Sequence, residues 1–145
     1  FRMADYDDIQ WLDPELIADV AIVCSERRMA RPRGVWSSDS PGEQMIEMRF
    51  HEPMFVSLLR IISSEPEQSR TQEMTVWASL HRGERHREVV RQRFNFSPLG
   101  ATEAIEEHVV QLEDVSAIQL RMVPSIDGRR AVARVDGPWL ACEVL

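Results

Sequence analysis

The sequence contains no lysine, so all 17 of its cationic residues are arginines. Codon bias is a sufficient explanation, but the physical consequence is the same: every positive charge is a planar guanidinium, suited to carboxylate, phosphate or aromatic partners. Positive charge is also in deficit, since 24 acidic residues leave a formal net charge of −7. This deficit argues against general nucleic-acid binding and against binding to an anionic membrane, because both need a basic field.

Cysteines and long apolar runs are scarce. Cys24 and Cys142 are too few for a disulfide scaffold or a four-ligand zinc site. No apolar run approaches the roughly 18 residues that a membrane-spanning helix needs. The N-terminal FRMADYDDIQ is acidic, whereas a secretory signal begins basic and continues apolar. We therefore expect a soluble, cytoplasmic protein, and the start at Phe1 leaves an upstream segment open.

The sequence also lacks catalytic signatures. The strings GxSxG, HExxH, GxGxxG and CxxC and the phosphate-binding P-loop do not occur. A Cys–His nucleophile needs an exposed thiolate, yet both cysteines lie in apolar runs typical of buried strands. With 24 carboxylates, some pair lies at glycosidase distance by chance. We predict a protein that is not an enzyme and that uses no cofactor.

What the sequence does contain is alternation of apolar and polar residues along its whole length. In QMIEMRF, for example, Ile46, Met48 and Phe50 share one face. The predicted strands are DVAIVC, QMIEMRF, MFVSLLRIISSE, QEMTVWASLH, REVVRQRFNF, EEHVVQL, SAIQLRMVP and GPWLACEVL. Eight short strands separated by turn signals predict an all-β, antiparallel eight-stranded jelly-roll sandwich. The 145 residues fit one domain, with 1–12 as a loosely ordered lead-in.

Two segments have some helical character. Asp13-Pro14-Glu15 predicts a short helical turn, capped by Asp13 and followed by inward-facing Leu16 and Ile17. The segment ATEAIEEH also fits a helix, but we assign it as a loop that continues into a strand.

The predicted loops alternate in length. Long loops occupy residues 25–43, 64–71, 97–104 and 124–137, and short loops occupy 51–53, 82–87 and 113–115. Consecutive loops of an antiparallel sandwich emerge at opposite ends, so we expect the long loops to gather at one end. Loops carried by a rigid scaffold commonly hold the binding residues.

The strand order resembles the galactose-binding-like sandwich, which includes the discoidin or coagulation-factor type C domains and many carbohydrate-binding modules. A first strand ending in Cys24-Ser25, then GEQMIEMRF and a long LLRIISSE strand carry this resemblance over about residues 13–145. The Cys-Ser and Gly-Glu arrangement is more faintly similar to the N-terminal sandwich of the X-ray-repair scaffold protein. The resemblance implies binding through loops at one end, with ligands that range over sugars, lipid head groups, proteins and DNA breaks.

Two features depart from the relatives. Discoidin domains commonly join their ends by a disulfide, whereas both cysteines here are predicted to be inward-facing, reduced thiols. No acidic loop cluster clearly matches the structural calcium site of the carbohydrate-binding relatives. We predict no metal site. His81 and His86 with Glu84 or Glu88 could hold a metal, but we favour a solvated hairpin tip.

Candidate ligand-binding residues lie in the long loops. Arginine forks beside an aromatic residue suit carboxylate, phosphate or sugar hydroxyls. The alternative is that these arginines pair with the acidic surface and pin their loops, and for Arg70 we favour such anchoring through Glu65 or Glu67. The candidates are Arg27, Arg28, Arg31, Trp36, Arg70, Asn95 and Glu103.

A second candidate surface is an exposed sheet face around Trp77. Alternation places Trp77 outward, with Arg91 and Arg93 on the same side of the next strand. A turn centred on Glu84 sets Trp77 opposite Arg91 and Thr75 opposite Arg93, close enough for a guanidinium to lie over the indole. Such a face suits a protein interface or a stacking platform.

These observations favour a ligand-binding module, with carbohydrate as the leading ligand. The alternative function is a protein-interaction or scaffold domain of a repair or regulatory complex that uses the Trp77 face. The sequence predicts no membrane partner and leaves the oligomeric state open.

Overall fold

The computed structural model describes residues 9–24, 27–30, 36–38, 41–82 and 86–144, with the backbone alone at 23–24 and 27–30. A 3-10 helix, Pro14–Leu16, precedes the strands. The strands are β1 Ala18–Cys24, β2 Arg27–Ala30, β3 Trp36–Ser37, β4 Gln44–Ser64, β5 Arg70–Leu80, β6 Arg87–Phe96, β7 Glu103–Val123 and β8 Arg134–Val144. No helix in these ranges is long and apolar enough to cross a membrane.

The strands form two antiparallel layers, as the jelly-roll prediction requires. The first layer has the order β2-β1-β4-β7-β5-β6, and β8 joins the other half of β4 and carries β3 at its side. Both β4 and β7 contain 21 residues and belong to both layers. The register between them shifts repeatedly between Arg49 and Leu58, where the strands bend from one layer to the other.

The prediction of short loops that separate strands at 51–53 and 113–115 is therefore wrong, because β4 and β7 continue through these positions. Each is a bulged corner inside a continuous strand, and the corner of β7 places Gln111 and Asp114 at φ values of 45° and 60°. The prediction that 101–108 enters a strand is confirmed, since β7 begins at Glu103.

One hydrophobic core lies between the layers. The alternation predicted from the sequence is confirmed, because Ile46, Met48, Leu59 and Ile61 are all at most 1% exposed. The helical turn also forms, with the Asp13 carboxylate accepting a hydrogen bond from the Glu15 N–H at 3.0 Å. The inward placement of Leu16 is wrong, since 70% of this residue is exposed.

The lead-in is attached from Leu12 onward. Leu12 exchanges two backbone hydrogen bonds with Leu140 of β8, at 2.7 and 3.1 Å. The preceding Trp11 ring lies 4.8 Å from the guanidinium carbon of Arg60. Residues 1–8 of the predicted lead-in lie outside the described part of the chain.

The long loops meet at one end of the sandwich, as predicted, but the assignment of 25–43 as one long loop is wrong because it contains β2 and β3. Backbone hydrogen bonds join Glu65 to Thr102 at 2.8 Å, Ile126 to Thr71 at 2.9 Å, and Gly42 to Ala131 at 3.2 Å. We call this the long-loop end: it comprises residues 41–43, 65–71, 97–102 and 124–133. The corners of β4 and β7 and the chain after β5 form the opposite, short-loop end, where the His81 N–H bonds to the Asp114 carbonyl at 2.7 Å.

The predicted pairing of β5 with β6 has the right direction and the wrong register. Thr75 lies opposite Arg91, not Arg93, and a bulge after Val76 places Trp77 opposite Glu88. The observed partner of Thr75 is two residues away from the predicted one. A shift by an even number of residues leaves every side chain on its original face of the sheet. The burial pattern therefore does not distinguish the two registers.

Leucine truncation tests the position of the core. Leu59 is 1% exposed and Leu99 is 97% exposed, so the same change to alanine removes packing at only one site. We expect Leu59→Ala to lower the free energy of unfolding by about 2–5 kcal/mol. Leu99→Ala should stay within about 0.5 kcal/mol. Urea unfolding measures both, and equal effects would contradict the assigned core.

The thiol of Cys142 should react slowly. Cys142 is a free, half-buried cysteine, and burial together with Glu143 raises the pKa of its thiol to about 11. At pH 8 the thiolate fraction is therefore small. Iodoacetamide labelling followed by mass spectrometry of the Cys142 peptide should show slow modification in the native protein and rapid modification in urea. Fast native labelling would contradict the burial; the side chain of Cys24 lies outside the described atoms.

Candidate functional site

An open cleft of 380 Å³ lies at the long-loop end. The end of β7 and the loop after it form most of its wall, and the two residues before Glu43 close one side. Its described lining residues are Pro41, Gly42, Val123, Pro124, Ser125, Gly128, Arg129, Arg130 and Ala131. The walls thus combine apolar rings and methyl groups with one hydroxyl and two guanidinium groups.

Local hydrogen bonds hold the loop that forms the cleft. The Ser125 hydroxyl accepts from the Arg129 N–H at 3.3 Å, and the Ser125 carbonyl accepts from the Gly128 N–H at 3.3 Å. Gly42 and Gly128 have φ values of 98° and 76°, a backbone conformation that side chains with a Cβ rarely adopt. Glycine at these two positions permits the turns that shape the cleft.

Arg70 fastens this end of the sandwich from inside. Its side chain is 0% exposed and donates to Glu65 Oε1 at 2.9 Å, to Gln72 Oε1 at 3.0 Å and to the Pro124 carbonyl at 2.6 Å. Its guanidinium carbon lies 4.6 Å from the ring centroid of Phe96. The anchoring alternative is therefore confirmed, and Arg70 as a ligand contact is wrong because the side chain does not reach the surface.

The carboxylate of Glu65 is kept charged by its neighbours. Burial pushes the pKa of Glu65 upward, but hydrogen bonds from the Glu67 N–H and the Arg70 guanidinium outweigh it and leave the pKa below its ordinary value. The charged pair is thus the stable form of this contact at neutral pH.

Arg129 and Arg130 were missed by the sequence analysis. Both are exposed, and Arg129 Nη1 donates to the Ser69 carbonyl at 3.0 Å, which fixes this guanidinium at the cleft. The available signal was the Gly128-Arg129-Arg130 string in a predicted long loop.

The other predicted ligand contacts do not line the cleft. Trp36 is 3% exposed and belongs to the core, so its placement as a surface aromatic is wrong. Asn95 and Glu103 are exposed, and the Asn95 side-chain oxygen accepts from the Thr71 hydroxyl at 2.6 Å. Arg31 lies outside the described residues, and for Arg27 and Arg28 the backbone alone is described, in β2.

The Trp77 face is occupied by the protein's own side chains. Trp77 is half-buried, and the His86 ring stacks on it at 5.5 Å with 21° between the planes. Arg93 donates to Glu73 at 2.8 Å, and Arg91 donates to Glu88 at 2.6 Å. The predicted pairing of Arg91 with Trp77 is wrong, since the register places Arg91 opposite Thr75 and the bulge after Val76 places Glu88 opposite Trp77.

A second cleft, of 330 Å³, lies at the short-loop end. Its charged lining residues are Glu52, Arg82 and Asp114, together with His81. Arg82 donates to the Asp114 carboxylate at 3.2 Å, so its charge is compensated within the cleft. Within the described ranges, no group of three or more His, Cys, Asp or Glu residues could hold a metal ion.

Two titratable groups on β7 have perturbed pKa values. Burial raises the pKa of Glu106 and lowers the pKa of His108. They lie opposite Ile61 and Leu59, on the core-facing side of the strand, and line neither cleft. Their shifts have burial as the one cause, so they indicate packing at the core edge and not an acid–base pair.

Removal of the Arg70 guanidinium tests the anchor. Arg70→Gln leaves the Glu65 carboxylate buried without its cation, which should cost about 3–5 kcal/mol of unfolding free energy. Arg82→Gln breaks an exposed ion pair, which contributes about 0–1 kcal/mol. Urea unfolding compares the two, and equal costs would refute the anchoring role.

The same pair predicts an acid effect. Because folding lowers the pKa of Glu65, its contribution is present above the unfolded pKa and is lost as the pH falls through the folded value. Because the Glu67 N–H and Arg70 both lower this pKa, this component of acid destabilisation should be reduced in Arg70→Gln and unchanged in Arg82→Gln. A pH series of urea unfolding curves measures it, and identical pH profiles would contradict it.

Comparison with known proteins shows which fold this is. No protein-family model and no curated protein matches the sequence. The C-terminal domain of a chitobiase from Bacteroides fragilis is similar, with a TM-score of 0.59 and 15% identity, over 94% of this chain and 99% of that domain. A CBM32 module of Clostridium perfringens is also similar, with a TM-score of 0.54 and 8% identity, over 89% of this chain and 98% of that module.

These neighbours confirm the main resemblance predicted from the sequence. CBM32 modules are galactose-binding-like, discoidin-type β-sandwiches. The fainter similarity to the X-ray-repair scaffold protein is not shown by these neighbours and stays a prediction. The chain adopts the galactose-binding-like β-sandwich fold.

Proposed function

We propose that this protein is a non-catalytic carbohydrate-binding module whose saccharide lies in the cleft of the long-loop end. The observation that carries the proposal is the cleft itself, formed where the long loops are joined to one another by hydrogen bonds. The neighbours in fold include CBM32 carbohydrate-binding modules, which supports the same ligand class.

The lining of the cleft offers contacts both to the C–H groups and to the hydroxyl groups of a sugar ring. The half-buried Pro41 and Val123 offer apolar surface to the C–H groups of a pyranose. The Ser125 hydroxyl and the guanidinium groups of Arg129 and Arg130 offer polar partners to its hydroxyls. A few placed polar groups on an otherwise apolar wall are typical of small-molecule sites.

Rigidity supports binding at this end. Because Arg70 bonds to the Pro124 carbonyl, the floor of the cleft is tied to β5 before any ligand arrives. A site that is already ordered loses less conformational entropy when it binds. Trp36, buried in the core, supplies no stacking platform, so recognition rests on the proline and valine surface and on hydrogen bonds.

The cleft supports recognition without chemistry. Ser125 is its one hydroxyl nucleophile among the described lining residues, and no histidine or carboxylate stands beside it there to act as a base. The protein-interaction alternative is weaker, since Trp77 is stacked under His86 and its arginine neighbours are paired with Glu73 and Glu88.

Amide NMR locates the site once a glycan array and a thermal-shift screen have named a sugar. A ligand at 100 times its dissociation constant stabilises the fold by about 2.7 kcal/mol, which a thermal-shift screen detects. Titration of that sugar should shift the amide signals of Gly42, Ser125 and Gly128. The amides of His81 and Asp114 at the short-loop end serve as controls and should stay in place.

Two outcomes would contradict this proposal. Shifts confined to the short-loop end would move the site away from the long loops. Absence of binding to any glycan of the array would remove the carbohydrate function.

A further inference from the structure

The charge on the described lining of the long-loop cleft is opposite to the net charge of the protein. The chain carries a net charge of −7, yet the charged residues among the described lining of this cleft are Arg129 and Arg130. Asp127 belongs to the same loop and does not line the cleft. At the short-loop end, by contrast, Glu52 and Asp114 accompany Arg82.

The cleft arginines also differ from most other described arginines in their partners. Seven arginines form ion pairs with a carboxylate of the protein. They are Arg49, Arg60, Arg70, Arg82, Arg91, Arg93 and Arg121. The side-chain partner of Arg129 is a neutral carbonyl, that of Ser69. Within the described part of the chain, the Arg130 guanidinium has no ion-pair or hydrogen-bond partner.

This arrangement leaves positive charge and donors available to a ligand. Arg129 donates from Nη1 to the Ser69 carbonyl, and its backbone N–H donates to the Ser125 hydroxyl. Among the described residues, Nε and Nη2 of Arg129 have no partner, so both can donate to a ligand. Arg130 is adjacent, with its carbonyl oxygen 3.5 Å from Gln68 Nε2. A guanidinium binds a carboxylate or sulfate through parallel, charge-assisted hydrogen bonds, which neutral hydroxyls do not match in strength.

We propose that the saccharide bound here is acidic, and that Arg130, with Arg129 beside it, binds its anionic group. This inference rests on the proposed carbohydrate function. The anionic group is a uronate carboxylate or a sulfate ester, which share the negative charge and the oxygen acceptors that a guanidinium needs. The sugar ring then packs on Pro41 and Val123.

Calorimetric titration with matched ligands tests the charge. The probes are trigalacturonic acid and its methyl ester, and galactose 6-sulfate and galactose. Each pair differs mainly in one kind of charged group. We expect the charged member of at least one pair to bind about tenfold more tightly, as a charge-assisted hydrogen bond predicts. This advantage should shrink at high salt, because the arginines are exposed and screened.

Arginine variants assign the effect to the cleft. Arg130→Gln should abolish most of the tenfold preference, because it weakens binding of the charged member much more than binding of the neutral member. Arg129→Gln should act in the same direction. Arg82→Gln at the short-loop end removes the same charge from the chain and should leave the preference intact, which separates a local contact from the field of the whole protein.

The possible results separate the two proposals. Preference for the uronate or for the sulfated sugar, lost in Arg130→Gln, supports the inference and identifies the source of the anion. Equal binding of charged and neutral sugars overturns the acidic ligand and leaves the carbohydrate function standing. A preference that survives in Arg130→Gln, or competition by inorganic sulfate as strong as by the sugars, also overturns it. No binding of any saccharide overturns both.

Discussion

The pairing of β4 with β7 is the constraint on which the rest of the molecule depends. The two strands run antiparallel along their full length, from Gln44 opposite Met122 to Ser64 opposite Glu103. Both bend at their middle into the second layer. A hairpin-like pair folded in this way brings all four of its strand ends to the same side of the sandwich. The long loops gather there because each of the four begins or finishes at one of those ends.

Burial of a charged pair at that end has a physical cost that the fold compensates only in part. Removing Arg70 and Glu65 from water is unfavourable, and their attraction offsets this only if the remaining donors find partners. The Gln72 side chain and the Pro124 carbonyl both accept from Arg70 Nη1, while Arg70 Nη2 is buried and has no hydrogen-bond partner among the described residues. An apolar pair could pack as well in this space but would not bond to the Pro124 carbonyl. The charged pair therefore contributes position, linking loop to loop, more than it contributes stability.

Strand faces were predictable from the sequence because alternation is a local property. The burial of Ile46 and Met48 follows from their spacing alone. Whether residues 51–53 form a turn between two strands or a bulged corner within one strand was not predictable, because His51-Glu52-Pro53 is compatible with both. The β5–β6 register was likewise beyond the pattern, because an even shift preserves both faces.

The end of the sandwich that holds the candidate site was predictable from the sequence, whereas most of the residues that line the site were not. Loop lengths pointed to one end of the sandwich, and the cleft lies there. Trp36 is buried because β3 pairs with β8, with Trp36 opposite Val135, a long-range contact that the local sequence does not encode. The Arg129 guanidinium is held at the cleft by the Ser69 carbonyl, 60 residues away along the chain. Contacts across such separations are set by topology, which the residue pattern near each arginine does not reveal.

The end of β8 and the long-loop cleft lie at opposite ends of the sandwich. Val144, the last described residue and the end of β8, lines the cleft at the short-loop end. A linker, a solid support or a neighbouring module attached after β8 would hold the domain at the end opposite the long-loop cleft. The rim formed by Pro41, Gly128 and Arg130 would then face away from that attachment, toward a polymer surface in front of it.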